Sequence, residues 1–253
     1  MKRIAFLFLF VTLALVQSGC SMLQSSGREP AFDAIVISAS EGSLMVAVSG
    51  KGETLSPFEP ASVSYNKTEK SVFTRGTLIR ITYDGTVRES YPVQLTAKKI
   101  TVIEEVKDNW PPTSQLKKDY SPEEAKEDGC YVESLSGKEN KDIAARFQGN
   151  SSQGICAYLR KVAYTVEGDP VITDFIYDGT KFYVINDATR DAFAGSGNKI
   201  MQKEYLYINT YEKGGTKIIY LADEKDISQE EYEEKVMSAK GEALLDTFTV
   251  YSE

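Results

Sequence analysis

The stretch that decides the fold is "LIRITYDGTVRESYPVQLTAKKITVIEE", residues 78–105. Apolar and polar residues alternate on both sides of its middle, which is the period of a half-buried strand. Val93, Leu95 and Ala97 share one parity and Ile100 and Val102 the other, so a bulge is predicted at Lys98–Lys99. Between the two runs stands Asp84-Gly85, the pair favoured in a two-residue type I′ hairpin because both central positions need positive φ. The tetrapeptide YDGT returns at 177–180 in "VITDFIYDGTKFYVIN" with unrelated flanks. It is read as the same turn used twice and not as a duplicated site.

Working outward, "FDAIVISAS" (32–40) and "SLMVAVSG" (43–50) flank the short Glu41-Gly42 turn as a hairpin, and "ASVSY" (61–65) adds a further strand. Five or so short strands with no helical segment predict a small all-β, OB-like barrel over residues 31–105. Residues 106–119, "VKDNWPPTSQLKKD", change character and form a linker, with Trp110 expected to pack between two modules. In "YSPEEAKEDGC" (120–130), Ser121 is a good N-cap, Glu124 completes a capping box, Pro122 suits the first turn and Gly129 supplies the stop. A second helix is expected in "KENKDIAARFQGN" (138–150) and a third after Ser228. Strand signals lie at 155–166, 170–179, 181–187, 199–211, 216–222 and 243–251. Residues 120–253 are therefore expected to form an α+β domain with an antiparallel sheet.

The chain opens "MKRIAFLFLFVTLALVQSGC": two cations, an apolar run from Ile4 to Val16, then small and polar residues up to Cys20. That layout predicts a signal peptide over 1–19, its apolar run too short for a comfortable bilayer span of about 20 residues. The "SGC" before the polar "SMLQSSGREP" resembles the lipobox of bacterial lipoproteins, with Gln17 where that pattern usually carries an aliphatic residue. The resemblance implies lipidation of Cys20, residues 20–30 as a tether, and attachment to the extracytoplasmic face of the cell membrane.

Composition narrows the chemistry. Without Lys2 and Arg3 the chain carries 27 basic against 37 acidic side chains, a balance that disfavours nucleic acid as a partner. There is no histidine, which removes Ser-His-Asp and Cys-His catalysis and imidazole-held metals. Beyond Cys20 only Cys130 and Cys156 remain. They are either a disulfide worth roughly 3 kcal/mol on the chain-entropy model or two free thiols, and the sequence leaves both open. No cofactor or metal motif is present.

Two resemblances to families of unknown function follow from particular residues. "RGTLIRITYDGTVRESYPVQLTAKKITVIE", with its YDG and "ESYP" (Glu89–Pro92), resembles a small β-barrel domain of Gram-positive lipoproteins. "DYSPEEAKEDG" and "YTVEGDPVITDFIYDGTKFYVINDATRDAFAG" resemble a second uncharacterised domain of Gram-positive exported proteins, over residues 119–222. Neither resemblance implies an activity or a catalytic residue.

The most concentrated polar stretch is "VINDATRDAFAGSGN" (184–198), where Asp187, Arg190 and Asp191 are candidates for holding a polar ligand, Arg190 gripping a carboxylate. The competing reading is that Arg190 pairs with a neighbouring aspartate and fastens the loop. Glu167, Asp169 and Asp174 are the candidates for a carboxylate-based hydrolase acting on envelope glycans. The favoured function is non-enzymatic: a membrane-anchored lipoprotein that binds an unknown protein, peptide or cell-wall ligand, with an accessory subunit of a membrane complex as the other alternative. If Cys20 is lipidated, the mature protein partitions into the detergent phase on Triton X-114 extraction, and Cys20→Ala moves it to the aqueous phase; equal partition of the two would remove the anchor.

Overall fold

The computed structural model describes residues 29–49, 55–66, 73–105, 113, 116–197, 199–236 and 245–253. Trp110 and Cys20 lie outside the described residues. Five strands, β1 (Ala31–Ser40), β2 (Ser43–Ser49), β3 (Pro60–Ser64), β4 (Leu78–Tyr83) and β5 (Val93–Glu104), close into a barrel in the order β1-β2-β3-β5-β4. β1 closes it by pairing antiparallel with β4, and β3 pairs parallel with β5. The hairpin at Glu41-Gly42 joins Ser40 to Ser43 directly across the ladder. The bulge at Lys98 is present: Thr82 pairs with Lys99 and Tyr83 with Ala97, so both lysines stand on the outside. Val36, Val46, Val63, Ile79, Ile81 and Leu95 point inward and fill the barrel.

Among the described residues of 116–253 there are two sheets and three helices, with more strand than helix. The helices are α1 (Pro122–Glu127), α2 (Lys141–Ser152) and α3 (Gln229–Lys235). The first sheet has six strands in the order β11-β10-β9-β8-β6-β7. These are β6 (Tyr131–Ser134), β7 (Gly137–Glu139), β8 (Ala157–Tyr164), β9 (Pro170–Tyr177), β10 (Phe182–Asp187) and β11 (Ile200–Tyr205). The second has three: β12 (Tyr207–Lys213), β13 (Thr216–Ala222) and β14 (Thr247–Ser252). α1 carries the capping box read from Ser121 and Glu124, and α3 is capped by the Ser228 side chain.

Three expectations change, and one element is new. The six-stranded sheet is not purely antiparallel, because β6 runs parallel to β8 after the α2 crossover. The run 199–211 is not one strand; it breaks at the exposed Leu206, and its halves enter different sheets. The hairpin β6–β7 carried no clear sequence signal because its strands are four and three residues long. Neither YDGT is a type I′ turn, since Gly85 and Gly179 have positive φ but Asp84 and Asp178 do not. The aspartates act through their side chains instead, Asp84 accepting from the amide of Thr86 and Asp178 from those of Thr180 and Lys181. The polar run after Gly85 is a loop leading to β5, and Tyr91 within it receives a hydrogen bond from Asn150 of α2 at 2.6 Å.

The layers stack through shared side chains. On one face of the six-stranded sheet, Val132, Tyr158, Val162, Ile172, Ile176 and Ile185 pack against outward residues of the barrel, Ile35, Ile37, Ala47, Phe58 and Leu78. On the other face, Leu159, Phe175 and Val184 meet Phe147 of α2 and Ile219, Leu221 and Val250 of the smaller sheet. α3 covers the far side of that sheet, where Tyr232 stacks on Tyr211 at 4.6 Å. Tyr158, Tyr177, Tyr205, Tyr211 and Tyr220 of the second half are thus core residues.

The seam between barrel and sheet is tight. Gly129 follows α1 with φ 81°, and a Cβ there would collide with the Pro57 ring of the barrel. Phe58 occupies the left-handed region at φ 56°, at a cost of roughly 1–2 kcal/mol for a residue with a Cβ. Its ring lies 5.1 Å from that of Tyr158 and is buried, and burial of such a side chain offsets the strain with about 1.5–3 kcal/mol. Arg146 of α2 donates to the Pro57 carbonyl at 2.5 Å. On the opposite side of the molecule the ammonium groups of Lys138 and Lys161 donate to the Ser252 and Val250 carbonyls of β14, and both lie within 4 Å of Glu133.

Ile37→Ala is expected to cost about 2–5 kcal/mol and to lower hydrogen-exchange protection in the six-stranded sheet together with the barrel. Loss of protection confined to the barrel would show that the modules unfold separately.

Candidate functional site at the seam of barrel and sheet

The loop singled out by sequence, 184–198, is anchored from within. Arg190 donates through Nη1 to Asp187 at 3.0 Å, through Nη2 to the carbonyls of Thr113 and Leu116, and through Nε to that of Lys117. Its side chain is 11% exposed. Asp187 is buried at the end of β10 and also accepts from the amide and hydroxyl of Thr189 and from the hydroxyl of Thr113. Burial alone would raise this carboxyl; the hydrogen bonds from Thr189 and Thr113 and the Arg190 charge outweigh it and hold it below the usual range. Asp191 accepts from the Phe193 amide. The structure brings Asp187 and Arg190 together and turns both toward the linker. Their arrangement fastens the described part of the linker to the sheet.

The three carboxylates considered for hydrolysis do not share an opening. Glu167 is exposed in the β8–β9 turn, where Asp169 accepts from the Ala192 amide. Asp174 is fully buried mid-strand on the barrel side of the sheet. There Arg160, directly opposite on β8, holds it with two parallel hydrogen bonds of 2.7 and 3.0 Å, and Tyr158 adds a third at 2.7 Å. Burial would lower the Arg160 guanidinium, but Asp174 keeps it well above its ordinary value. Burial likewise pushes the Tyr158 hydroxyl far up.

Cys130 lies beside this group and Cys156 at the start of β8; both are free thiols, so the bridge left open by the sequence is not made. Burial pushes the Cys130 thiol up to about 12, with Tyr120 3.6 Å away, and raises Cys156 as well. A thiol so protonated is a poor nucleophile at neutral pH. Among the described residues no group of three or more acidic or thiol side chains is placed to hold a metal ion.

A second knot of charge sits at the mouth of the seam. Arg75, just ahead of β4 in the barrel, donates to Asp178 of the second YDGT at 2.8 Å, and its guanidinium lies 3.6 Å above the ring of Tyr183. Tyr183 itself donates to Asp178 at 3.2 Å. Burial would raise the Asp178 carboxyl, but the backbone and hydroxyl donors of Lys181 and Thr180 and the charge of Arg75 bring it below its usual value. A cleft of about 340 Å³ opens next to this knot, lined by Arg75, Tyr183, Ile185, Gln202, Lys203 and Glu204. Tyr183 and Ile185 on β10 and their partners Glu204 and Gln202 on β11 form its floor. Arg75 and Glu204 carry no sequence signal for such a role: 103 residues separate Arg75 from Asp178, and no local pattern reports that contact.

Residues 131–221 match a family model described as a domain of unknown function (DUF4362). The matched segment runs from β6 into β13 and takes in the whole six-stranded sheet. No curated protein and no solved structure matches the chain. The floor of the cleft and Asp178 therefore fall inside the family segment, and Arg75 falls outside it.

Removing one member of the buried pair leaves an unpaired charge in the seam, so Arg160→Met is expected to cost about 3–5 kcal/mol in urea unfolding. The double change Arg160→Met with Asp174→Leu is expected to recover most of that loss. A double variant as unstable as the single one would mean that the pair contributes more than mutual neutralisation.

Proposed function

We propose that this chain is a lipoprotein anchored at the extracytoplasmic face of the cell membrane, with a non-catalytic body that binds its ligand at the mouth of the seam. The observation that carries this reading is the cleft itself, a concavity of ligand size between two modules that share one core. Clefts between such units are where small molecules are commonly held, because each wall can be built independently. Here one wall is Arg75 of the barrel and the floor is β10–β11.

We read the barrel as OB-like, from its order β1-β2-β3-β5-β4 and its parallel β3–β5 pair. OB barrels bind oligomers across the outer face of strands 2 and 3. In this chain Met45 and Ala47, on the outer side of β2, pack against the six-stranded sheet. The surface that usually serves such barrels is occupied from within, which supports a site displaced to the edge of that contact. The second module is then an α+β unit whose family segment supplies the floor.

The test is a thermal-shift panel of wall-glycan fragments, peptides and divalent ions on the full chain in detergent. A ligand of the folded state raises the midpoint by mass action. At least one member is expected to do so for the wild type and not for Arg75→Ala. A panel without a shift, or a shift unchanged in Arg75→Ala, overturns the seam site and transfers weight to an accessory role within a membrane complex.

A further inference from the structure

The charges around the cleft select among small ligands, and this inference rests on the seam cleft being the binding site. Arg75 has the donors of a planar guanidinium, five N–H groups in a fixed fork. Only Nη2 has an acceptor among the described residues, Asp178. Nε is buried without a hydrogen-bond partner, whereas the Nε of Arg80, Arg160 and Arg190 each has an acceptor. Nη1 likewise has no acceptor among the described residues but is not buried, so it is the donor that an acceptor entering the cleft can meet.

A guanidinium accepts carboxylate and phosphate alike, but the surrounding groups discriminate. Glu204 stands directly across the ladder from Tyr183, the residue beneath Arg75, on the same face. Arg75 and Glu204 are therefore neighbours across the Tyr183 ring, while the other cation of the lining, Lys203, is held by both carboxylate oxygens of Asp246. Asp178 is already against Arg75. Two carboxylates so close repel a dianion, whereas a ligand with one carboxylate and one ammonium meets an opposite charge at each end. Glu204 is available for such a partner, since its pairing with Lys181 is a solvent-exposed contact of 3.1 Å, a kind that is weakly held. The volume of about 340 Å³ suits a molecule of a dozen or so heavy atoms.

We propose that the seam cleft binds a small zwitterion of dipeptide size, with its carboxylate on Arg75 and its ammonium on Glu204. Ile185 and the flank of the Tyr183 ring then face the ligand's carbon skeleton.

The main test keeps the wild-type full chain and changes the ligand, with one variant at the exposed Glu204 as a second measurement. Calorimetric titration uses Ala-Ala, Lys-Ala, Ala-Glu and Phe-Ala with free termini, then the N-acetyl and C-terminal amide forms of whichever binds, and inorganic phosphate. At least one free dipeptide is expected to bind, with either blocked form weakened at least tenfold and phosphate failing to compete. Glu204→Gln is expected to weaken the free dipeptide and to leave the N-acetyl form unchanged. Absence of binding by all four, equal binding of a blocked form, or displacement by phosphate overturns the zwitterion. If the thermal-shift panel still finds an Arg75-dependent ligand in any of those cases, the seam site stands and only the ligand class falls.

Discussion

The structure depends on the covering of Ile35 and Ile37. A closed five-stranded barrel needs only its inward side chains to form a core, and those are supplied by Val36 and its neighbours. β1 is also apolar on its outer side, with Ala34, Ile35, Val36 and Ile37 all buried in succession. Two outward isoleucines in water would forgo several kcal/mol of transfer free energy. The six-stranded sheet supplies the cover, and the same contact buries Tyr158, Val162 and Ile172. From that contact follow the left-handed Phe58, the glycine at 129 and the Arg75 knot, each of which exists because two surfaces approach closely.

Polar groups inside the same contact have a different effect. Hydrophobic faces slide over one another with little penalty, whereas Arg160 and Asp174 must keep their register or lose their hydrogen bonds. They sit on adjacent strands of one sheet, so they rigidify the floor on which the barrel rests. Arg190, with three backbone carbonyls of residues 113–117 in its grasp, does the same for the chain that joins the modules. Between barrel and sheet themselves the directional bonds are those of Arg75 to Asp178, Arg146 to the Pro57 carbonyl and Asn150 to Tyr91, and shape specifies the rest.

Much of the barrel was legible because its signals are local. Two-residue alternation, the Glu41-Gly42 turn and the parity slip at Lys98 each involve neighbours in sequence, and each corresponds to a feature of the ladder. The helix ends at Ser121 and Ser228 were legible for the same reason. The parallel β6–β8 pair and the split at Leu206 were not, since both depend on which sheet a strand joins. "AIVI" at 34–37 did hold a trace of the seam, because a strand with one face in water would have interrupted that run. The candidate loop was found by its density of charge, but charge density does not reveal whether an arginine points to solvent or to the linker. The cleft was invisible for a simpler reason: its walls come from segments about a hundred residues apart.

Among the described residues β14 pairs with β13 alone, and its carbonyls at Val250 and Ser252 accept from the ammonium groups of Lys161 and Lys138. A lysine on a carbonyl denies that acceptor to the backbone of another molecule, and a desolvated ammonium makes the approach of a neutral strand costly. Carbonyls so occupied are not open to an incoming strand, which disfavours intermolecular pairing along this edge and the fibre growth that such pairing starts.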